Sequence, residues 1–230
     1  MEENFGVIFD MDGIIFDSER ACFECWMEAA DIIGAPGMRE FYPGIIGTNA
    51  FQSLQMTKEA YDSILGEGTG ERLQSLSSEI FHGKYDDGGL PLKIGAEELL
   101  RFLRYEGVKT GLASSTRTQQ VIRELTNEGL IGYFDSVTGG DSVTVSKPDP
   151  QIYLIACEKL GSVPSRTFAI EDSFNGIRSA SRAGMRPLMV PDMIPPDDEM
   201  RSLCEGIFPD LVKVQEYLEG LLRDPGAISL

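Results

Sequence analysis

Short apolar runs alternate with amphipathic stretches along most of the chain. Apolar runs bounded by polar residues are typical of buried strands, and they predict strands at 6–10, 108–114, 134–139, 166–172 and 186–190. The stretches between the runs carry apolar residues at helical spacing and predict helices at 95–106, 117–128, 149–160, 173–184 and 209–222. Because alternating strands and helices require crossover connections, the sequence predicts an α/β fold with a mostly parallel sheet covered on both faces.

One segment, 18–88, interrupts this alternation because it contains no convincing strand. Helical patterns follow one another through it, and they are broken at 34–37, 42–47 and 66–70. We therefore expect a small helical domain over 18–88, inserted after the first strand into a core formed by 1–17 and 89–230. The glycine-rich stretch 86–91 predicts a flexible return to the core, and 191–199 predicts a polar loop.

The chain has 230 residues and a formal net charge of −17. This charge repels nucleic acid and anionic membranes, so we expect neither as a partner. A small anionic substrate is still compatible with it, because surface charges are screened beyond about 8 Å at physiological ionic strength and a few local cations can outweigh the global sign. No apolar run is long enough to cross a bilayer, and the acidic start MEEN is unlike a secretory signal, which favours a cytoplasmic protein.

The four cysteines do not form the pattern of a disulfide-stabilised secreted domain. Cys22 and Cys25 make a CxxC pair, which could be a redox pair or half of a zinc site. The chain has no second CxxC, and its one histidine is His82. Since both cysteines fall on a predicted helix, we interpret them as core residues of that helix.

Polar residues with catalytic potential follow several of the predicted strands. In an open parallel sheet, ligands bind outside the carboxyl ends of the strands, so side chains at these ends are expected to meet. These candidates are Asp10, Asp12, Ser114, Ser115, Glu171 and Asp172, together with Lys147 in the loop before a predicted helix. Carboxylate oxygens with a nearby phosphate group are the usual ligands of Mg²⁺, so the pattern predicts a magnesium-dependent site for a phosphorylated substrate.

The positions of these residues suggest their roles. Asp10 ends a strand and is the candidate nucleophile, which would form an aspartyl phosphate, while Asp12 in the adjacent turn is the candidate general acid and base. Ser114, Ser115 and Lys147 are candidates for phosphate binding, with Ser114 and Lys147 also counted as catalytic. The predicted metal ligands are Asp10, Asp12, Glu171 and Asp172.

Each of these signals has a simpler structural explanation when taken alone. The DMDG stretch at 10–13 could be an ordinary turn, and Ser114 and Ser115 could cap a helix. Lys147 could be a solvated residue before Pro148, and EDSFNG at 171–176 could be a capped helix start. Their common order at the ends of predicted strands favours the catalytic interpretation.

Four stretches together resemble the motifs of the haloacid dehalogenase-like superfamily. They are DMDG at 10–13, LASST at 112–116, KPDP at 147–150 and IEDSFNGIRSASRAGM at 170–185. The resemblance implies a Rossmann-like three-layer core, with 18–88 as a helical cap placed between the first and second motifs. It also implies a magnesium-dependent aspartyl-phosphate mechanism, with Asp10 as nucleophile, Asp12 as acid and base, Ser114 and Lys147 on phosphate, and Glu171 and Asp172 at the metal.

Within the superfamily, the closest resemblance is to the β-phosphoglucomutase and sugar-phosphatase branch. Asp12 disfavours carbon–halogen cleavage, because the dehalogenases lack an aspartate there. Cys22 stands where the mutase has a histidine, and Asn49 stands near the position of the mutase's cap arginine. We therefore expect a phosphatase that hydrolyses a small phosphorylated metabolite, such as a sugar phosphate, with a β-phosphoglucomutase-like phosphotransferase as the alternative.

Substrate selection is expected to fall to the cap, which would exclude bulk water by closing. The cap residues expected near the mouth of the site are Arg20, Glu24, Gly47, Thr48 and Asn49. The hinge is expected at Asp17 and Ser18 on one side and at DDGG, 86–89, on the other. A monomer or weak dimer is expected.

Overall fold

A computed structural model describes residues 5–46, 48 and 50–223, without the side chain of Ala50. It contains a six-stranded sheet in the order β3-β2-β1-β4-β5-β6, and all neighbouring strands are parallel. The strands are β1 (Gly6–Phe9), β2 (Thr110–Ala113), β3 (Ser136–Thr138), β4 (Thr167–Glu171), β5 (Arg186–Met189) and β6 (Gly206–Ile207). The predicted parallel α/β, Rossmann-like fold is confirmed.

The described part of the chain contains ten α-helices. They are α1 (Ser18–Ile33), α2 (Met38–Phe41), α3 (Ala50–Leu65), α4 (Thr69–Tyr85), α5 (Ala96–Tyr105), α6 (Thr118–Asn127), α7 (Gln151–Leu160), α8 (Phe174–Arg182), α9 (Asp198–Leu203) and α10 (Leu211–Arg223). Among these residues, no helix combines the length and apolar character needed to span a bilayer. The chain divides into two compact units, one running to Asp17 and resuming at Pro91, and the other comprising Ser18–Leu90.

The central strands of the first unit are buried on both faces, which explains their continuous apolar sequence. All residues of β1, β2 and β4 are buried. On one side of the sheet, Ile8 and Ala169 pack with Tyr153 and Leu160 of α7 and with Ala180 of α8. This packing holds the first turn of α7 against the sheet, close to the ends of β1 and β4.

Two elements of this unit were not predicted. β6 has only two residues, both partly exposed, so it leaves no apolar run to recognise. The predicted loop at 191–199 is wrong at its carboxyl end, because α9 begins at Asp198. The side chain of Asp197 accepts a hydrogen bond from the backbone amide of Met200 and caps this helix, and the apolar side chain of Met200 is fully buried.

The second unit is helical and has its own core. α1, α3 and α4 pack around buried aromatic and aliphatic residues, which include Trp26, Tyr42, Tyr61 and Leu73. Cys25 is buried on α1 and Cys22 is partly buried against the same core, and neither is disulfide-bonded. The structure therefore supports the interpretation of the CxxC pair as part of a helix core.

Candidate active site

The strand order brings three of the predicted site segments to one edge of the sheet. Asp10 follows β1, Ser114 follows β2, and Glu171 is the last residue of β4. β1 lies between β2 and β4, and Phe9 is in register with Leu112 on one side and Ile170 on the other. The residues after these positions therefore leave the sheet side by side, as the strand-end argument predicts.

The Lys147 ammonium group lies between the ends of the strands. Its Nζ atom is 2.6 Å from Asp10 Oδ1 and 2.6 Å from Glu171 Oε1, and it also donates to the backbone carbonyl of Ala113 at 3.3 Å. Only 8% of the Lys147 side chain is exposed. A buried lysine in contact with two carboxylates is a fixed positive charge in a region of low dielectric, where its electrostatic effect is large.

Burial changes the protonation behaviour of both partners. Burial raises the pKa of Asp10 from 3.8 to about 8, and the negative charges of Glu171 and Asp12 act in the same direction, against the lowering effect of Lys147. Burial alone would lower the pKa of Lys147, but the neighbouring Asp10 and Glu171 carboxylates outweigh it and raise that pKa. Lys147 therefore stays charged, and Asp10 needs more positive charge nearby to be ionised at neutral pH.

Glu171 is fully buried, and protein donors surround its carboxylate. Oε1 accepts hydrogen bonds from Lys147 and, at 2.7 Å, from the Tyr153 hydroxyl, while Oε2 accepts from the amide and hydroxyl of Ser173. A Cβ atom on Gly176 would lie 1.9 Å from this carboxylate, so glycine is required where α8 begins. Burial and the Glu171 charge raise the pKa of Tyr153 well above its usual value, which keeps its hydroxyl protonated.

Asp10, Glu171 and Asp172 form a group that could hold a metal ion. Each offers a carboxylate oxygen, and these oxygens lie within 4.8 Å of one another. Gly13 has a positive φ of 76°, and a Cβ atom there would lie 2.3 Å from Asp172 Oδ2, so the turn after β1 needs a glycine beside this group. Several hard oxygen donors and an excess of negative charge over Lys147 fit a divalent cation such as Mg²⁺.

Asp12 is not part of this carboxylate group among the described residues. Its Oδ2 atom accepts a hydrogen bond from the Thr116 hydroxyl at 3.2 Å, and the amide of Thr116 donates to Ser114 Oγ at 3.0 Å. Thr116 thus connects the turn after β1 to the loop after β2. The predicted roles of Asp12 as a metal ligand and as the general acid and base both stay predictions.

The two predicted serines differ in their surroundings. Ser114 is fully buried at the end of β2, whereas Ser115 is exposed and its backbone carbonyl faces Gly140. Thr116 and Tyr153, which contact the site, were not predicted as site residues. Thr116 lies inside the LASST motif, which was the available signal, but Tyr153 is on an apolar helix face that looks like ordinary core.

The helical unit contains a cavity of about 710 Å³. Trp26, Tyr42 and Phe81 contribute aromatic surface, and the polar part comprises mostly hydroxyl and amide side chains with Glu19 and Glu79. Its described polar lining residues are Glu19, Thr48, Ser53, Gln74, Ser75, Ser77, Ser78 and Glu79. No lysine or arginine occurs among the described lining residues, so the cavity offers hydrogen bonding without a positive charge.

The structure describes three of the five cap residues that were predicted near the substrate. Thr48 lines the cavity and its hydroxyl donates to the carbonyl of Ile45. Arg20 and Glu24 form an exposed ion pair with each other on α1, at 3.4 Å. Gly47 and Asn49 lie outside the described residues.

Comparison with known proteins provides independent evidence. A model of the haloacid dehalogenase-like hydrolase family matches residues 6–184. The chain is 31% identical over 218 residues to a phosphorylated carbohydrates phosphatase of Thermotoga maritima, covering 94% of this chain and 97% of the relative. It is also 31% identical over 188 residues to beta-phosphoglucomutase of Bacillus subtilis, covering 78% of this chain and 80% of that protein.

The fold is shared with solved structures of the same kind. A crystal structure of a HAD family hydrolase from Deinococcus radiodurans, with bound phosphate and sodium, aligns with a TM-score of 0.75 at 23% identity. The alignment covers 92% of this chain and 93% of that one. The family match includes the ends of β1, β2 and β4 and the loop that carries Lys147. The chain belongs to the haloacid dehalogenase-like hydrolase family.

Proposed function

We propose that this protein is a magnesium-dependent phosphatase that hydrolyses a small phosphorylated carbohydrate through an aspartyl phosphate on Asp10. The observation that carries the proposal is the contact of the buried Lys147 ammonium with both Asp10 and Glu171, beside a group of carboxylates that fits a divalent cation. A nucleophilic carboxylate can approach an anionic phosphoryl group only where positive charge offsets the repulsion.

Asp10 and Asp172 would hold the metal ion. Glu171 belongs to the same group of carboxylates. When bound, Mg²⁺ supplies positive charge that favours the ionised form of Asp10 and offsets the charge of the phosphoryl oxygens. Lys147 supplies a second, permanent positive charge in direct contact with Asp10 Oδ1. The Ser114 segment, at the end of the adjacent strand, is the proposed binding element for the phosphoryl oxygens.

In the proposed reaction, a carboxylate oxygen of Asp10 attacks phosphorus and the bond to the leaving oxygen breaks. Asp12 gives its proton to the leaving alkoxide, then takes a proton from the water that attacks the aspartyl phosphate, which releases inorganic phosphate and restores Asp10. The Thr116 hydroxyl, which donates to Asp12 Oδ2, would hold the Asp12 carboxylate in position for both transfers.

We assign substrate selection to the helical unit. Its cavity combines aromatic surface with hydroxyl and amide groups, and this mixture suits an uncharged, hydroxylated leaving group such as a sugar. Glu19 and Glu79 would repel a second phosphate, so we propose that sugar monophosphates are preferred over bisphosphates. The phosphorylated carbohydrates phosphatase among the relatives is consistent with this substrate class. A cytoplasmic location, a monomer or weak dimer, and no nucleic-acid or membrane partner remain part of the proposal.

The test is release of inorganic phosphate from a panel of sugar monophosphates, sugar bisphosphates, nucleotides and phosphorylated acids, with magnesium, using wild type and Asp10→Asn. We expect turnover of sugar monophosphates and a loss of at least about a thousandfold in the variant, since the nucleophile is removed. Circular dichroism checks that the variant is folded.

Two outcomes would count against the proposal. Equal rates in wild type and Asp10→Asn would exclude Asp10 as nucleophile. Conversion of β-glucose 1-phosphate to glucose 6-phosphate, with little free phosphate, would instead indicate the mutase activity carried by the beta-phosphoglucomutase relative.

A further inference from the structure

Tyr153 is a polar side chain at the site that the mechanism above does not use. It lies in the first turn of α7, six residues after Lys147, and it is completely buried. Its hydroxyl donates to Glu171 Oε1 at 2.7 Å, and the same oxygen accepts from Lys147 at 2.6 Å. We propose that Tyr153 is a positioning residue for the phosphatase reaction, which holds Lys147 against Asp10 by sharing Glu171 with it.

Glu171 Oε1 is shared between Tyr153 and Lys147. A carboxylate oxygen has two lone-pair directions, and Oε1 of Glu171 accepts from one hydroxyl and one ammonium group. Because the Tyr153 hydroxyl occupies one direction, Lys147 approaches along the other. From there its remaining protons reach Asp10 Oδ1 and the carbonyl of Ala113.

Further contacts hold the Lys147–Glu171 pair and Tyr153 together. Ser173 holds Oε2 of Glu171 with two donors, so the carboxylate is fixed at both oxygens. The Lys147 ammonium also lies 5.1 Å from the centre of the Tyr153 ring. Tyr153 therefore contacts both members of the Lys147–Glu171 pair, through its hydroxyl on the carboxylate and its ring face on the ammonium.

Removing only the Tyr153 hydroxyl is expected to change the position of Lys147. In Tyr153→Phe, Glu171 Oε1 loses a donor and its negative charge is less shared, so it attracts the Lys147 ammonium more strongly. Lys147 then moves away from Asp10 Oδ1 and offsets less of the charge at the attacking oxygen. The change affects the chemical step at Asp10 rather than recognition of the leaving group.

This inference rests on the proposed function, and its test compares two tyrosines of similar chemistry. In Tyr153→Phe we expect kcat on the best sugar monophosphate to fall about tenfold, which is the size expected from one lost hydrogen bond to a charged group, with KM within about twofold. The matched control is Tyr217→Phe. The Tyr217 hydroxyl donates to Glu205, which is also paired with Arg186. These residues lie in the same unit as Tyr153, and Arg186 is the first residue of β5.

Two further measurements separate positioning of the lysine from other roles. Calorimetric titration with Mg²⁺, without substrate, should give affinities within about twofold for wild type and Tyr153→Phe, because the substitution removes one donor to Glu171 Oε1 and leaves the carboxylates of Asp10, Glu171 and Asp172 in place. Crystal structures of the two proteins should show the distance from Lys147 Nζ to Asp10 Oδ1 lengthened beyond hydrogen-bond range in the variant only.

The outcomes distinguish this inference from the proposed function. If wild type turns over sugar phosphates and Tyr153→Phe loses thermal stability but keeps its kcat, the role of Tyr153 is structural and the inference is wrong. A large loss of Mg²⁺ affinity would assign Tyr153 to the metal site instead. If wild type has no activity on the panel, the proposed function fails, and the crystal structure still decides: an unchanged Lys147–Asp10 contact overturns the inference.

Discussion

The two units of the chain carry polar groups in opposite ways. In the sheet unit, Lys147, Asp10 and Glu171 are buried ionisable groups, and the lysine contacts both carboxyl groups. In the helical unit, the cavity is lined by uncharged hydroxyl and amide groups and two glutamates. None of its described lining residues is a lysine or an arginine. Fixed charges suit a reaction in which developing charge must be stabilised at defined positions. Uncharged polar groups suit the recognition of hydroxyl groups on a substrate. The difference supports our proposal that the sheet unit carries out the chemistry and the helical unit selects the substrate.

The largest expected effect comes from removing the buried charge of the sheet unit. In Lys147→Met, we expect kcat/KM to fall by about a hundredfold to a thousandfold, because the charge that offsets the phosphoryl group is lost. The unfolding free energy at neutral pH should also fall by about 3–5 kcal/mol, since Asp10 and Glu171 remain buried without their cation. Steady-state kinetics and chemical denaturation measure the two effects.

Lys93→Met is the matched control for this prediction. Lys93 lies in the same unit and also contacts two carboxylates, Asp17 at 3.5 Å and Asp192 at 2.7 Å, with 17% of its side chain exposed. It should lose stability but keep most of its kcat/KM. Equal losses of kcat/KM in both variants would mean that any buried lysine of this unit matters equally, and the special role of Lys147 would be lost.

The next effect concerns pH and the protonation of Asp10. Since burial raises the pKa of Asp10 from 3.8 to about 8, the metal-free folded protein keeps a proton that the unfolded chain has lost between these values. The folded state then binds more protons at Asp10 than the unfolded state, so the contribution of Asp10 to stability is fully present below about pH 4 and is lost as the pH rises to about 8.

Asp10→Asn isolates this contribution because asparagine does not titrate. Thermal unfolding in the presence of a chelator, at constant ionic strength, should show a steeper fall in Tm with rising pH for wild type than for the variant. Other titrating groups contribute equally to both proteins and cancel in the difference. Parallel curves would show that Asp10 is already ionised in the metal-free fold, and this prediction would be wrong.

The strand-end argument predicted much of the sheet-unit site because it depends only on chain order and strand direction. Asp10 and Glu171 end adjacent parallel strands, so their approach follows from the sheet. Tyr153 could not be predicted in the same way. Its spacing on α7 matches an apolar helix face, and its hydrogen bond to Glu171 depends on how that helix docks on the sheet.

The fold shows the same division between strong and weak local signals. Each predicted strand contains an observed strand, and for β1, β2 and β4 the signal is explained by burial of every residue. β6 was missed since two partly exposed residues leave no such run. α9 was missed because the prolines of 191–199 suggest a loop, while the capping role of Asp197 becomes visible only once Met200 is seen to be buried.

The smallest expected effect concerns the cavity of the helical unit. Glu79 is an exposed residue of α4 that lines the cavity of the helical unit. In Glu79→Gln, the ratio of kcat/KM for a sugar bisphosphate to that for the matching monophosphate should rise about threefold, because a solvent-screened charge that repels the second phosphate is removed. Glu59→Gln makes the same charge change on α3, outside the described cavity lining, and should leave the ratio unchanged. An equal rise in both variants would indicate that the net charge of the protein, and not this cavity, discriminates between the substrates.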